Sequence, residues 1–229
     1  SLHAALIAQN IMQKWLKIPV LTFAASEYIY NQNLTTANTL VIGLSQSGET
    51  ADTLSALKQA KAAGAQTLAI TNRPDSSISR IADYLIPLNA GIEVSVAATK
   101  SYTAQLIILY LLGLALAPYK DKNFNTSKLL SELETIPTKI EQILSNTIEI
   151  QNCAQAFAHK NSFIYIARGI NMATAQEGAL KLKEISYINA NAYLAGELKH
   201  GPIALLDENT PVLAVLNPQS ETFTKLISN

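Results

Sequence analysis

The chain alternates short apolar runs with stretches of helical periodicity. Residues 39–44, 66–71 and 84–88 are rich in apolar and β-branched side chains, a pattern typical of strands buried in a parallel sheet. Periodic stretches predict helices at 51–63, near 77–82 and at 97–117, and a helix at 1–17 and a strand at 20–23 come before them. This alternation predicts an α/β fold, in which helices cover both faces of a parallel sheet.

The pattern then restarts. Residues 126–159 have helical periodicity that Pro137 divides, residues 162–166 predict a new strand, and residues 171–186 predict the helix after it. We therefore expect a first domain at 1–125, a helical connector at 126–160 and a second domain at 161–229.

An internal repeat links the two halves. Residues 1–16 align with 171–186 without a gap, and residues 39–44 align with 211–216. The matching order of elements favours a duplication. The first copy has no counterpart of the strand at 162–166, and the second stops inside a helix, so we expect a chain truncated at both ends.

The amino-acid composition argues against some classes of function. The chain has 17 Lys+Arg and 17 Asp+Glu, and this zero net charge argues against nucleic-acid binding. Only 15% of residues are charged and 48% are apolar, against roughly 25% charged in an average domain, which suggests surface buried against a partner.

Targeting and metal signals are weak. The longest apolar run, residues 106–117, is too short to span a bilayer, and no signal peptide is visible, so we expect a cytoplasmic protein without membrane contact. The lone Cys153 is expected to be a small buried residue within a helix, and three scattered histidines give no metal-ligand spacing. We expect no metal and no organic cofactor.

The segment SQSGET at 45–50 follows a predicted parallel strand and opens a helix. Free amides at such a helix start, together with hydroxyls and a glycine, suit a phosphate monoester, although no P-loop lysine follows. The alternative is an ordinary helix start capped by Ser47, with Thr50 in the first turn.

A second candidate lies in EGALKLKE at 177–184. The spacing places Glu177, Lys181 and Glu184 on one helix face, while Lys183 points nearly opposite. Such pairs are usually solvated, but the apolar neighbours indicate a buried helix, where a carboxylate can serve as a general base. His200, before Gly-Pro, lies on a predicted turn and is either a proton-exchanging group or incidental.

Three motifs carry a family resemblance. LSQSGETADTL at 44–54, NAGIEVSVAATKSYTAQL at 89–106 and EGALKLKEISYINANAYLAGELKHGP at 177–202 resemble tandem sugar isomerase (SIS) domains. The likeness is strongest to the isomerase half of the aminotransferases that make glucosamine 6-phosphate from fructose 6-phosphate. It implies two flavodoxin- or Rossmann-like three-layer sandwiches, each with a parallel sheet between helices.

The resemblance also implies roles for individual residues. The phosphate would contact Ser1, Ser45, Gln46, Ser47 and Thr50, and the sugar would meet the backbone of Val96. Glu184 would be the base that moves a proton between C1 and C2, with Lys181 beside it. His200 would open the sugar ring from the neighbouring subunit, which implies a homodimer, and a glutaminase domain is expected upstream.

One departure keeps alternatives open. Ala98 stands where these aminotransferases usually have serine, and VAATK is more reminiscent of SIS proteins that deaminate or isomerise amino-sugar phosphates. A stand-alone deaminase or isomerase is therefore the alternative function. A third possibility is a non-catalytic sugar-phosphate sensor, although such a sensor needs only the phosphate loop and not Glu184, Lys181 and His200.

Overall fold

The computed structural model describes residues 1–228, with residue 32 by its backbone only. The chain divides into two compact units, residues 1–122 and the part from 123 onward. Each unit contains one three-stranded sheet in which all neighbouring strands are parallel.

The first unit has the strand order β1-β2-β3. Strand β2 is the central one, and its residues after the first are buried because it is paired on both edges and covered by helices. The elements are α1 (Leu2–Leu16), α2 (Ala25–Tyr28), β1 (Leu40–Ser45), α3 (Ala51–Ala62), β2 (Gln66–Thr71), α4 (Ser77–Ile81), β3 (Tyr84–Pro87) and α5 (Lys100–Leu116), with 3-10 turns at Gln32–Leu34 and Ala117–Tyr119.

The second unit has the strand order β5-β4-β6. Three helices precede its sheet, and Pro137 lies in the first turn of the second of them, where its missing N–H costs nothing. The elements are α6 (Thr126–Glu134), α7 (Ile136–Ser145), α8 (Ile148–Phe157), β4 (Ser162–Ala167), α9 (Asn171–Ser186), β5 (Asn189–Leu194), β6 (Val212–Val215) and α10 (Phe223–Ile227), with 3-10 turns at Leu198–His200 and Pro202–Leu205.

Parallel sheets flanked by helices confirm the predicted fold class. The elements of the proposed repeat also follow one another as expected. Helix α9 has the bounds predicted from its alignment with α1, and β6 and α10 follow in the order of β1 and α3.

The strand predicted at residues 20–23 is wrong, because this segment forms neither strand nor helix. Its counterpart in the second unit is β5, which pairs with β4 alone. Within residues 1–228 no strand occupies the corresponding place in the first unit, so the segment has no ladder to join. It is held on α1 instead: Gln13 Nε2 donates to the carbonyl of Val20 over 2.8 Å, and Thr22 Oγ1 donates to that of Ala5 over 3.2 Å.

Helices α6, α7 and α8 bury none of their residues. Cys153, predicted to be buried, is therefore exposed on α8. The sequence placed it correctly within a helix, but nothing in the described chain covers that helix face. The exposed large apolar side chains of these helices are Leu130, Ile140, Ile143, Leu144, Ile148, Ile150 and Phe157.

Helix α5 has a long apolar stretch. Among the described residues, Lys100–Tyr119 is the one helical stretch long and apolar enough to cross a membrane by length and composition, and 33% of its most apolar part is buried. It packs against α1: the rings of Trp15 and Tyr110 lie 6.1 Å apart, and a Cβ on Gly113 would lie 3.1 Å from the Trp15 ring. This close packing is typical of a core helix in an α/β unit.

Candidate functional site

The segment from Ser45 to Thr50 forms a loop that folds around one buried hydroxyl. Ser45 Oγ accepts a hydrogen bond from Gly48 N over 3.0 Å and lies 3.1 Å from Thr50 Oγ1. Ser47 Oγ accepts from Glu49 N over 3.2 Å. Gly48 has a φ of 70°, a left-handed conformation that favours glycine. The loop is thus closed by its own side chains.

Helix α3 follows the loop directly, and among the described residues its first turn is not capped by a side chain. Helix α3 begins at Ala51 with Thr50 as its N-cap residue, and in the described chain no side chain hydrogen-bonds to that turn as a cap. The alternative of a helix capped by Ser47, with Thr50 in the first turn, is therefore wrong. Amides at such a helix start, aided by the helix dipole, are suited to an anion.

The predicted phosphate residues differ in access. Ser45 is buried, with 4% of its surface exposed, so its hydroxyl serves the loop itself. Gln46 is half-buried, while Ser47 and Thr50 are exposed. Of the predicted phosphate residues in the loop, Gln46, Ser47 and Thr50 are therefore the ones that a ligand can reach, beside the exposed Glu49.

A cleft of about 860 Å³ opens beside this loop, at the carboxyl end of the sheet. Its walls include Gln46 and Ser47, the carboxylates of Glu49, Asp75 and Glu93, and a cation that the sequence interpretation missed, Arg73. The Arg73 guanidinium donates to the carboxylate of Asp75 over 3.3 and 3.4 Å, which raises the pKa of Arg73 and lowers that of Asp75. Arg73 therefore brings a positive charge that is already paired.

Ser1 is held by a buried amide on α5. Gln105 Nε2 donates to Ser1 Oγ over 2.9 Å, and only 1% of Gln105 is exposed. Its Oε1 atom has no hydrogen-bond partner in the described chain. Because the Ser1 oxygen accepts from Gln105, its own proton is directed elsewhere. The sequence signal for Gln105 is a polar residue on the buried face of an apolar helix, a position of the same kind as that of Ser101 one turn earlier.

Val96 lies on the irregular segment between β3 and α5 and is 87% exposed. Glu93 anchors that segment to the start of α5. One of its carboxylate oxygens accepts from Thr99 N, Ser101 N and Ser101 Oγ over 3.3, 3.0 and 2.8 Å. The hydrogen bonds from Ser101 lower the pKa of Glu93, so it stays ionised at neutral pH.

In the second unit, α9 carries a three-residue ionic cluster. Lys181 Nζ lies 2.6 Å from Glu184 Oε2 and 3.4 Å from Glu177 Oε1, which confirms that the three side chains share one helix face. Glu177 is 8% exposed, and Lys181 and Glu184 are half-buried, so this is not a solvated surface pair. Burial alone would lower the pKa of Lys181, but the hydrogen bond to Glu184 and the charges of both glutamates raise it above its usual value.

His200 is exposed on the 3-10 turn after β5, immediately before Gly201 with its φ of 145°. Its backbone N–H donates to the carbonyl of Glu197 over 3.0 Å. Within residues 1–228 no hydrogen bond or ion pair joins its imidazole to the cluster on α9. The structure places His200 on a turn, as predicted, and in the described part of the chain no hydrogen bond or ion pair fixes its side chain.

Comparisons with known proteins place this geometry in a family. The SIS domain family matches residues 1–115 and 156–227. The chain is 48% identical over 230 residues to a glutamine–fructose-6-phosphate aminotransferase [isomerizing] from Clostridium acetobutylicum, a match that covers 99% of this chain and 38% of that protein. The chain thus spans well under half the length of such relatives.

Solved structures agree with the sequence matches. The C-terminal domain of glucosamine-fructose-6-phosphate aminotransferase from Francisella tularensis superposes with a TM-score of 0.94 and 39% identity, covering 100% of this chain and 65% of that one. Glucosamine-6-phosphate deaminase from Thermotoga maritima, at a TM-score of 0.75 and 21% identity over 99% of this chain and 68% of that one, shares the fold alone.

The uncapped start of α3, which follows a parallel strand, lies within the sequence motif at 44–54. The family match covers this motif and the motif at 177–202. This chain belongs to the SIS domain family.

Proposed function

We propose that this chain is the isomerase region of an enzyme that makes glucosamine 6-phosphate from fructose 6-phosphate. The observation that carries the proposal is the Lys181–Glu184 pair on α9, a carboxylate with a cation 2.6 Å away on a half-buried helix face. The 48% identity to a relative named as an isomerizing aminotransferase supports this reaction over the deaminase alternative, whose solved example shares 21% identity.

The reaction needs one carboxylate that reaches two adjacent carbons. Ammonia adds to the C2 ketone and water leaves, giving an imine. Glu184 then takes a proton from C1, the C1–C2 double bond of an enolamine forms, and Glu184 returns the proton to C2. A second proton passes from the C1 hydroxyl to the nitrogen, so C1 becomes the aldehyde. The Lys181 ammonium would stabilise the negative charge that develops on the C1 oxygen.

The phosphate would be held by the loop from Ser45 to Thr50, with Ser1 as a further contact and the backbone of Val96 beside the sugar. The start of α3 supplies amides, and Gln46, Ser47 and Thr50 supply side-chain donors. Ser45 would act through the loop, because its hydroxyl is buried within it. No metal or organic cofactor enters this scheme.

His200 would open and close the sugar ring. Its exposure on a turn supports a role in which it reaches the site of a second copy of the chain, in a homodimer. The exposed apolar side chains on α6, α7 and α8 are a surface that a partner could cover. We propose further that a glutaminase domain in the same protein supplies the ammonia, and that the enzyme is cytoplasmic.

Glu184→Gln in the full-length protein tests the base directly. Removing the base is expected to lower the isomerisation rate by two orders of magnitude or more, while fructose 6-phosphate still binds, because the amide keeps the size of the side chain. Glu208→Gln, at an exposed position outside helices α6, α7 and α8 and outside the candidate site, is the matched control and should leave turnover unchanged. Full turnover in Glu184→Gln would exclude Glu184 as the base.

A further inference from the structure

Glu49 is the only acidic residue in the segment SQSGET, and its exposed side chain lines the cleft beside Gln46 and Ser47 while it hydrogen-bonds to Ser77. Its two carboxylate oxygens accept from Ser77, one from the backbone N–H over 2.9 Å and the other from the hydroxyl over 2.6 Å. Ser77 is the first residue of α4, so the carboxylate acts as a helix cap supplied from 28 positions earlier in the chain.

The backbone of the loop is fastened to the same part of the first unit. The carbonyl of Gln46 accepts from Asn72 N over 3.1 Å and from Thr71 Oγ1 over 3.3 Å, and that of Gly48 accepts from Ile78 N over 3.1 Å. Gly48 packs so closely on the segment before α4 that a Cβ there would overlap Ser76 Oγ. The loop thus lies directly on the start of α4, and Glu49 is its one charged attachment.

We propose that Glu49 is a positioning residue of the phosphate loop, which anchors the loop on Ser77 and thereby fixes where its own negative charge lies at the wall of the cleft. This rests on the proposed function of the loop. The carboxylate has two hydrogen-bond donors in place and the Arg80 guanidinium acts on it as well, all of which lower the pKa of Glu49. It therefore stays ionised at neutral pH, and without Ser77 that charge would be free to turn towards the bound phosphate.

Alanine substitutions at two acids near the anion site should have different effects on the affinity for fructose 6-phosphate. Asp52, in the first turn of α3, is exposed. Asp52→Ala removes a negative charge near the phosphate and should leave fructose 6-phosphate affinity unchanged or slightly higher. Glu49→Ala removes a negative charge too, but also releases the loop, so its affinity should fall about tenfold, as expected for a lost hydrogen bond to a charged group.

The experiment is a fructose 6-phosphate titration of the full-length protein, with KM and kcat measured separately. We expect Glu49→Ala to raise KM about tenfold with kcat within a factor of two, and Glu49→Gln, which keeps an acceptor for Ser77, to recover most of the loss. Ser77→Ala removes the hydrogen bond from the Ser77 hydroxyl to Glu49 and keeps the one from the backbone N–H, so it should raise KM less than Glu49→Ala does. This variant tests the contact even if Glu49→Ala does not fold. Unchanged or improved affinity in Glu49→Ala, or unchanged KM in Ser77→Ala where only that variant folds, would overturn the proposal.

Ser47→Ala combined with Thr50→Ala separates this inference from the function on which it rests. If that double variant binds fructose 6-phosphate normally, the phosphate site is wrong and the role of Glu49 falls with it. If the double variant loses affinity while Glu49→Ala does not, only the positioning role is wrong.

Discussion

The Nζ atom of Lys181 lies 2.6 Å from Oε2 of Glu184, so the proposed base and a cation face each other on one turn of α9. Lys181→Met is therefore expected to lower kcat on the order of 100-fold, because the charge that develops on the substrate oxygen loses its stabilising cation. Steady-state kinetics of the full-length protein measure this loss.

Lys183 provides the control for that substitution. It lies two positions away on the same helix and is exposed. Lys183→Met should leave kcat within a factor of two. Equal losses in the two variants would mean that the effect comes from helix α9 as a whole and not from the Lys181–Glu184 contact.

A pair of glycines tests how closely the phosphate loop is packed. Gly48 and Gly91 have nearly the same φ, 70° and 69°. A Cβ on Gly91 would meet nothing within 4 Å, whereas one on Gly48 would overlap Ser76 Oγ and lie 2.9 Å from Thr71 Oγ1.

Gly91→Ala should therefore lower the free energy of unfolding by roughly 1–2 kcal/mol, the ordinary penalty of a left-handed alanine. Gly48→Ala adds a steric clash to that penalty, so it should lose more stability and most of its fructose 6-phosphate affinity. Urea unfolding and ligand titration check both variants. Equal stability of the two would show that the loop yields easily to a larger residue.

Asp83 links the start of β3 to β2 and α3. Its carboxylate accepts from Thr67 N over 2.9 Å and Thr67 Oγ1 over 2.8 Å, and it lies 2.7 Å from Lys61 Nζ. The hydrogen bonds from Lys61 and Thr67 lower the pKa of Asp83 from 3.8 to about 2. A lowered pKa stabilises the folded state above the ordinary value of 3.8 and loses that contribution as the pH falls towards 2.

Asp83→Asn should therefore unfold at a lower urea concentration than the parent at pH 7, and the difference should narrow between pH 4 and pH 2. Asp75→Asn, at the exposed pair with Arg73, is the control and should change the midpoint little. A constant difference between Asp83→Asn and its parent across this pH range would contradict the assignment.

The local sequence pattern was sufficient to predict the bounds of elements that are buried and have clear end signals. Strand β2 and helix α9 have the bounds that the sequence predicted, because apolar runs and their flanking residues determine both. Residues 20–23 were predicted wrongly because a strand also needs a neighbouring strand, which no local pattern reveals. The exposure of Cys153 was missed for a similar reason, since periodicity does not say whether a helix face is covered.

In the candidate site, too, some residues were predictable from the sequence and others were not. Loop and helix motifs identified Ser47, Thr50, Lys181 and Glu184 as candidates, because their chemistry is written in adjacent residues. Their supporting contacts were not predictable, because Glu49 meets Ser77 and Gln105 meets Ser1 across long separations in sequence. A single sequence gives no sign of such pairs until the fold brings them together.

The uncapped start of α3 has a consequence for how the site would respond to acidity. Peptide amides and hydroxyl groups do not ionise near neutral pH, and the one acid inside the loop, Glu49, has a lowered pKa. The group that titrates in that range would be the sugar phosphate itself, because the second proton of a phosphate monoester dissociates with a pKa of about 6. Binding at such a loop would follow the titration curve of the ligand, and the protein would contribute a constant field.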